Sequence, residues 1–289
     1  MDPRAGGHFA LERCRGCAGA VTVGAPTPPP AAPEEVEPAP RGARLAAPLL
    51  AGFDRRRLRM LRAAVPPPAR LLDVGAGRGR FVAAARRAGY DAEGIEPDPA
   101  RAAAGAAYGV HLRVAGLEGA GVRPGALDAV TVWHVLEHLP DPDGAVSTVA
   151  QWLRPGGAAL VGVPNLGSLQ ARLGAARWYH LDLPRHRTHF TPAGLHALLR
   201  RHGLRPLRTH HVLAEHNPFG MWQSLVNRAT RTPSYAFNRL KRAAAPDRRD
   251  LAVTVAALPL IPPAAALELA AGLARRGGSI AVLARRDEG

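Results

Sequence analysis

Residues 71–80 read LLDVGAGRGR. A short apolar run carries an acid, Asp73, and passes into three glycines at alternate positions, Gly75, Gly77 and Gly79. Glycine lets a backbone turn with φ > 0 and lets a ligand approach with no Cβ in the way. A strand that feeds such a turn and then a helix belongs to an α/β unit, whose ligands lie beyond the carboxyl ends of parallel strands. The spacing separates two ligand types. A dinucleotide pyrophosphate sits on the helix N-terminus and calls for G-x-G-x-x-G. Gly75 and Gly77 meet the first two positions, but the third is Arg80. The pattern is instead D-x-G-x-G-x-G, and an acid ahead of the turn suits a ligand that carries positive charge.

The alternation of strand and helix continues. RLLDVGA (70–76), DAEGIEPD (91–98), VHLRVAG (110–116), ALDAVTVWHV (126–135) and AALVGVPN (158–165) read as strands. Helices are predicted over 78–89, closed by Gly89, and over 99–109. Asp141 caps another with Pro142 in its first position, and Val146, Val149, Ala150 and Leu153 form its apolar face. Thr191-Pro192 starts a helix that ends at Gly203, and 205–216 and 278–286 read as the last two strands. An Arg-rich helix around 53–63 is stopped by Pro66–Pro68. The pattern predicts a doubly wound α/β fold, with a mostly parallel seven-stranded sheet and helices on both faces. Residues 219–277 are too many for a hairpin between the last two strands, so they form a helical insert.

Residues 18–44 are rich in Ala, Pro and Gly around Glu34, Glu35 and Glu37. The expected organisation is a mostly disordered segment over 1–44, then one domain over 45–289 with the insert at 219–277. The net charge of +15 raises nucleic acid as a partner. Lys241 is the only lysine among 38 basic residues, however, which looks like a compositional bias toward Arg, and no RNP, helix-turn-helix or zinc-finger pattern accompanies the charge. The two cysteines fit a reducing, cytoplasmic setting, and the first residues lack the apolar core of a signal peptide. The longest apolar stretch, 251–274, is broken by Pro259, Pro262 and Pro263. It is expected to be a buried helical cap, with peripheral membrane contact as the alternative because arginines flank it.

The ordered motifs resemble those of the class I S-adenosylmethionine-dependent methyltransferases, a Rossmann-like family. LLDVGAGRG resembles motif I, LDAVTVWHVLEHLPDP (127–142) the fourth-strand motif and LRPGGAALVGVPN (153–165) the fifth. YHLDLPRHRTHFTPAGLHALLRRHGL (179–204) is similar to a stretch of a bacterial subfamily close to the ubiquinone-pathway O-methyltransferases. The resemblance covers roughly residues 50–218 and the final strand. It implies S-adenosyl-L-methionine as cofactor, held by Asp73, Gly75, Ala76, Gly77 and Gly79. It implies Glu96, followed by Pro97, at the ribose hydroxyls, and Leu117, Glu118, Trp133 and His134 around the adenine or methionine part. FALERCRGC (9–17) resembles the second half of a zinc ribbon. Cys14, Cys17 and His8 fall short of four ligands, so a remnant is expected.

Methyl transfer aligns acceptor, methyl carbon and sulfur, and an alcohol acceptor must also lose a proton. In WHVLEH, one helical turn brings His134, Glu137 and His138 to one face, with His138 the preferred base beside Glu137. The alternative for His138 is a structural hydrogen bond. Related enzymes use E-x-x-E-H and a later His to hold a divalent ion, but the first carboxylate is His134 here. That weakens a magnesium site, and no metal is expected. Eight of the twelve histidines fall between 180 and 216, and His180, Arg185, His186 and His189 are expected to line the acceptor pocket. The expected reaction is O-methylation of a small molecule, glycan or lipid-linked intermediate. An N- or C-methyltransferase, a catalytically silent cofactor-binding subunit and an RNA methyltransferase stay open.

Overall fold

The computed structural model describes residues 9–24, 43–240 and 245–288; His8 and the acids at 34–37 lie outside them. The chain opens with strands β1 (Ala10–Arg13) and β2 (Ala20–Val23), then helix α1 (Ala43–Arg62). The α/β units follow as β3 (Arg70–Val74), α2 (Arg80–Arg87), β4 (Asp91–Glu96), α3 (Pro99–Ala103), β5 (Arg113–Val114) and β6 (Leu127–Trp133). Next come α4 (Pro142–Trp152), β7 (Leu153–Pro164), α5 (Leu169–Gly174), β8 (Thr188–His189), α6 (Pro192–Arg201) and β9 (Leu204–His210). Helices α7 (Asn217–Val226), α8 (Tyr235–Leu240), α9 (Arg248–Ala256) and α10 (Ile261–Leu273) precede the last strand, β10 (Ser279–Arg286).

Seven strands form one sheet in the order β5-β4-β3-β6-β7-β10-β9, parallel from β5 to β7, with β10 antiparallel to both neighbours. From β3 the chain first builds outward through β4 and β5, then returns to place β6 on the other side. This reversal opens a crevice at the carboxyl ends of β3, β4 and β6. Successive strand residues face opposite sides of the sheet, so neighbours feed two separate cores. Leu71 packs with Leu58, Leu61, Phe81 and Leu160 under α1 and α2. Leu72 packs with Val130, Val146, Leu195 and Leu199 under α4 and α6. Burial on both faces is why these strands read as unbroken apolar runs.

Strand β7 starts five residues earlier than the sequence pattern, so Leu153 lies in the sheet rather than on α4, and β5 keeps only Arg113–Val114; three further differences bear on the site and the N-terminus. Helix α1 starts ten residues earlier, at Ala43, and β9 ends at His210, so 211–216 leaves the sheet and runs to α7. The third difference is at the N-terminus, where residues 10–23 form an ordered hairpin rather than part of an irregular segment. Strand β1 pairs with β2, and β2 pairs with β8, matching Ala20 to His189 and Val21 to Thr188. Thr22 Oγ1 donates to the His186 carbonyl at 2.7 Å, and Thr191 Oγ1 donates to the Cys17 carbonyl at 2.6 Å. The signal for this order is the tight Cys14–Cys17 turn, where backbone N–H groups of Cys17 and Gly16 lower the Cys14 thiol pKa. Among the described residues no third metal-ligating side chain joins the two cysteines.

The insert is fastened by two buried acids. Glu268 on α10 accepts from Gln170 Nε2 at 2.9 Å and from the Gly278 N–H at 2.7 Å. Asp250 on α9 accepts from the N–H groups of Arg231 and Thr232 at 2.8 and 2.9 Å. Replacing Glu268 with Ala leaves the Gly278 N–H and one Gln170 proton unpartnered, at a cost of about 1–3 kcal/mol. Urea denaturation should show that loss, with faster amide exchange concentrated in α10.

Candidate active site

Two glycines fit the first turn to its neighbours. Gly75 has φ +68°, and a Cβ there would run into Val135 beyond β6. Gly77 has φ +57° and donates its N–H to Glu96 Oε2 at 2.8 Å, while a Cβ there would meet nothing within 4 Å. The turn thus presents bare backbone to open space beside a carboxylate. Glu96 ends β4, only 4% exposed, and its Oε1 also accepts from the Asp98 N–H at 3.2 Å. Ala76 donates to the Ile95 carbonyl, so the turn is tied to β4 as well, and Pro97 is exposed next to Glu96.

Asp73 is occupied within the protein. Its Oδ1 accepts from Arg57 Nη2 and from Thr131 Oγ1, each at 2.5 Å. Arg57 comes from α1 and lies 3.7 Å from the Phe81 ring centroid and 4.8 Å from that of Trp133. It is buried, and its Nε has no partner. The sequence offers one signal for it: Asp54 and Arg57 interrupt the apolar face that Leu58 and Leu61 continue. Asp54 takes Arg80 at 2.9 Å, and Arg80 reaches Glu215 at 3.0 Å, joining α1, the start of α2 and the segment before α7. Leu117 is half-buried against the core near Leu136, and Glu118 is exposed.

The other wall is a cluster of imidazoles. His134 follows β6 with φ +54°, a strained value for a residue with a Cβ. A 3₁₀ turn over Leu136–His138 replaces the helical turn that the spacing predicts, and it still brings His134 Nδ1 to 3.0 Å from Glu137 Oε1. His138 Nδ1 donates to the Arg185 carbonyl at 3.2 Å, and His186 Nδ1 to the His180 carbonyl at 2.7 Å. The rings of His138 and His186 are 4.6 Å apart, and His216 stands 4.5 Å from His134. His216 belongs to the cluster through the fold alone. His189 contacts Thr22 Oγ1 at 2.9 Å, behind His186, while Arg185 is half exposed. His180 lies 6.2 Å from His134 in a stacked arrangement, with its Nε2 buried and unpartnered.

Burial, reinforced by His186, pushes His138 down to about 4; burial and His134 push His216 down to about 3. Burial opposes ionisation of Glu137, but the hydrogen bond from His134 and the surrounding imidazoles outweigh it and hold the carboxyl well below its usual range. Glu137 Oε2 is buried with no partner. One ligand atom each from Glu137, His138 and His186 lies within 4.8 Å of the others. These three residues could hold a metal ion, which the sequence pattern alone does not lead one to expect. One carboxylate with two imidazoles suits zinc or manganese better than magnesium.

The model of a methyltransferase domain matches residues 47–209, more than half of the chain. The chain belongs to the methyltransferase-domain family. It is similar to a ubiquinone biosynthesis O-methyltransferase of Xanthomonas campestris, 35% identical over 106 residues, which are 34% of this chain and 44% of that protein. It is similar also to an uncharacterized methyltransferase of Mycobacterium sp. (strain KMS), 38% identical over 93 residues, 32% of this chain and 37% of that one. The chain thus spans less than half the length of these curated relatives. Its fold is like that of an S-adenosylmethionine-dependent methyltransferase of Thermotoga maritima, with a TM-score of 0.52 at 15% identity, covering 85% of this chain and 94% of that one. The seven-stranded sheet of this chain is Rossmann-like, as in that structure.

Two outcomes are expected of this methyltransferase. Glu96→Ala removes a charged acceptor beside the turn and should weaken S-adenosylmethionine binding at least ~tenfold, read by calorimetric titration. His138 and His216 have folded pKa values below the ordinary 6.5, so the unfolded chain binds more protons as pH falls below it. Their contribution to stability is whole above about pH 6.5 and lost progressively toward pH 4. Melting temperature should therefore fall across that range, and His138→Gln should flatten the slope.

Proposed function

We propose that the methyltransferase acts on an oxygen acceptor, a hydroxyl of a small molecule, glycan or lipid-linked intermediate, with His138 as the base. The observation that carries this reading is the set of Nδ1 hydrogen bonds: with Nδ1 committed to the Arg185 carbonyl, the lone pair of His138 is on Nε2. At a pKa of about 4 this imidazole is unprotonated at neutral pH and free to accept.

The residues of the turn fit the cofactor. Gly77 leaves room for a ligand beside Glu96, whose two oxygens suit a pair of ribose hydroxyls. Arg57, buried with an unpartnered Nε, supplies a cation for a carboxylate, and Asp73 holds it in place. When bound, S-adenosylmethionine supplies an electrophilic methyl carbon. The chain's own part is to bring the acceptor oxygen into line and remove its proton. Glu137 keeps the proton of His134 on Nδ1, which leaves the buried Nε2 of His134 with its lone pair unpartnered. His180 and His186 continue that wall. The resemblance to the Xanthomonas enzyme supports oxygen as the atom methylated.

His138→Ala should lower kcat by about 10²–10⁴ for an aliphatic hydroxyl and less for a phenol, with the KM for S-adenosylmethionine unchanged. The assay is transfer of labelled methyl to a panel of hydroxyl, phenol and amine acceptors; transfer to amines alone would overturn the oxygen assignment. The unpartnered Glu137 Oε2 favours a second reading, in which Glu137, His138 and His186 hold a divalent ion. Loss of turnover on chelation, regained with zinc or manganese, would make His138 a ligand rather than the base.

A further inference from the structure

The insert turns an apolar face outward. Of fifteen large apolar side chains exposed among the described residues, eight lie on α9, α10 and the turn between them. Leu251, Val255, Leu258, Leu260, Ile261 and Leu269 are each between 44% and 54% exposed. Single exposed leucines are ordinary, but a concentration of them on one element is not. The inner face of the same helices is finished: Ala264, Ala271 and Gly272 are buried, with α10 packed on α7. The outer residues are therefore not a core left unfilled.

Charge on this segment is sorted by side. The acids between 248 and 276 are Asp250 and Glu268, both buried in the hydrogen bonds described above. Arg248 and Arg249 at one end, and Arg275 and Arg276 at the other, are exposed. The outward surface between 248 and 276 thus combines aliphatic side chains with guanidinium groups, and the adjoining carboxylate, Asp247, is half-buried as the cap of α9. A second copy of the chain is a poor match, because a twofold contact would set this positive rim against itself. A membrane span is a poor match too. No single described helix is long and apolar enough to cross, and although α9 and α10 pass such a test as a pair, they bend by 42°. Crossing would also strip Asp250 and Glu268 of their partners. An anionic lipid surface answers both features: leucine and isoleucine enter the boundary of the acyl chains while arginines stay at the headgroups.

We propose that the outer face of α9 and α10 docks the enzyme on an anionic lipid bilayer. The net charge of +15 favours the approach. Helix α10 packs on α7, and His216, just before α7, stands 4.5 Å from His134, so the docked face is joined through packed helices to the imidazole wall. Docking of this kind places the acceptor crevice near molecules that reside in or on the membrane. It does not depend on which atom is methylated.

The test is co-sedimentation of the full chain with vesicles of phosphatidylglycerol and phosphatidylcholine, against vesicles of phosphatidylcholine alone. Two variants accompany it: Leu258→Ser/Leu260→Ser/Ile261→Ser, and Arg248→Ala/Arg249→Ala/Arg275→Ala/Arg276→Ala. All seven positions are exposed, and unchanged S-adenosylmethionine affinity reports that each variant is folded. The expected result is binding to the anionic vesicles, at least ~tenfold weaker for either variant, for neutral vesicles or in 0.5 M salt. Equal binding to both vesicle types, variants that bind like the native chain, or no sedimentation would each overturn the proposal. So would a native dimer that the leucine variant converts to monomer, since the face would then join two copies. Resistance to carbonate extraction would point to a span and overturn it as well.

Discussion

The close passage of the β3 turn against the residue that follows His134 is the constraint on which the site depends. Gly75 has no Cβ because Val135 occupies that volume, and the contact holds the end of β6 against the glycine turn. His134 takes φ +54°, and the chain closes into the 3₁₀ turn that carries Glu137 and His138. A substitution at Gly75 would reach the glycine turn and the imidazole wall together, through one contact between backbone and a valine side chain.

The sheet was largely legible in the residues because its strands are buried on both faces. Leu71, Leu72, Val130 and Val161 need no partner of opposite polarity, so continuous apolar runs between glycine turns report them directly. The carboxylate at the end of β4 was legible for the same reason: it follows a strand at a fixed point of the fold. Arg57 and His216 were not, because each reaches the site through tertiary packing, one from a helix before the first core strand and one from a loop after β9. The third strand was less legible in extent: the apolar run over 110–116 yields only two paired residues, Arg113 and Val114.

The imidazole wall places several basic groups where few of them can be charged. His138, His189 and His216 are all driven down by burial, and each would be repelled by a charged neighbour. Backbone carbonyls take the Nδ1 protons of His138 and His186, and Glu137 takes that of His134. These bonds make their ring orientations interdependent: His186 is held by the His180 carbonyl, His138 by that of Arg185, and Arg187 N–H by that of Glu137. Backbone thus sets the directions of several of these nitrogens in advance.

The N-terminal hairpin changes what counts as the enzyme's active unit. Strand β2 continues β8 into a small sheet of its own, and Thr22 ties down both His186 and His189. The seven-stranded sheet and the Gly77–Glu96 pair lie wholly within later residues, so the two halves of the site draw on separate parts of the chain. Residues 10–23 are joined to the imidazole wall by three hydroxyl contacts and the pairing of β2 with β8, so that wall rests on a segment the seven-stranded sheet does not use.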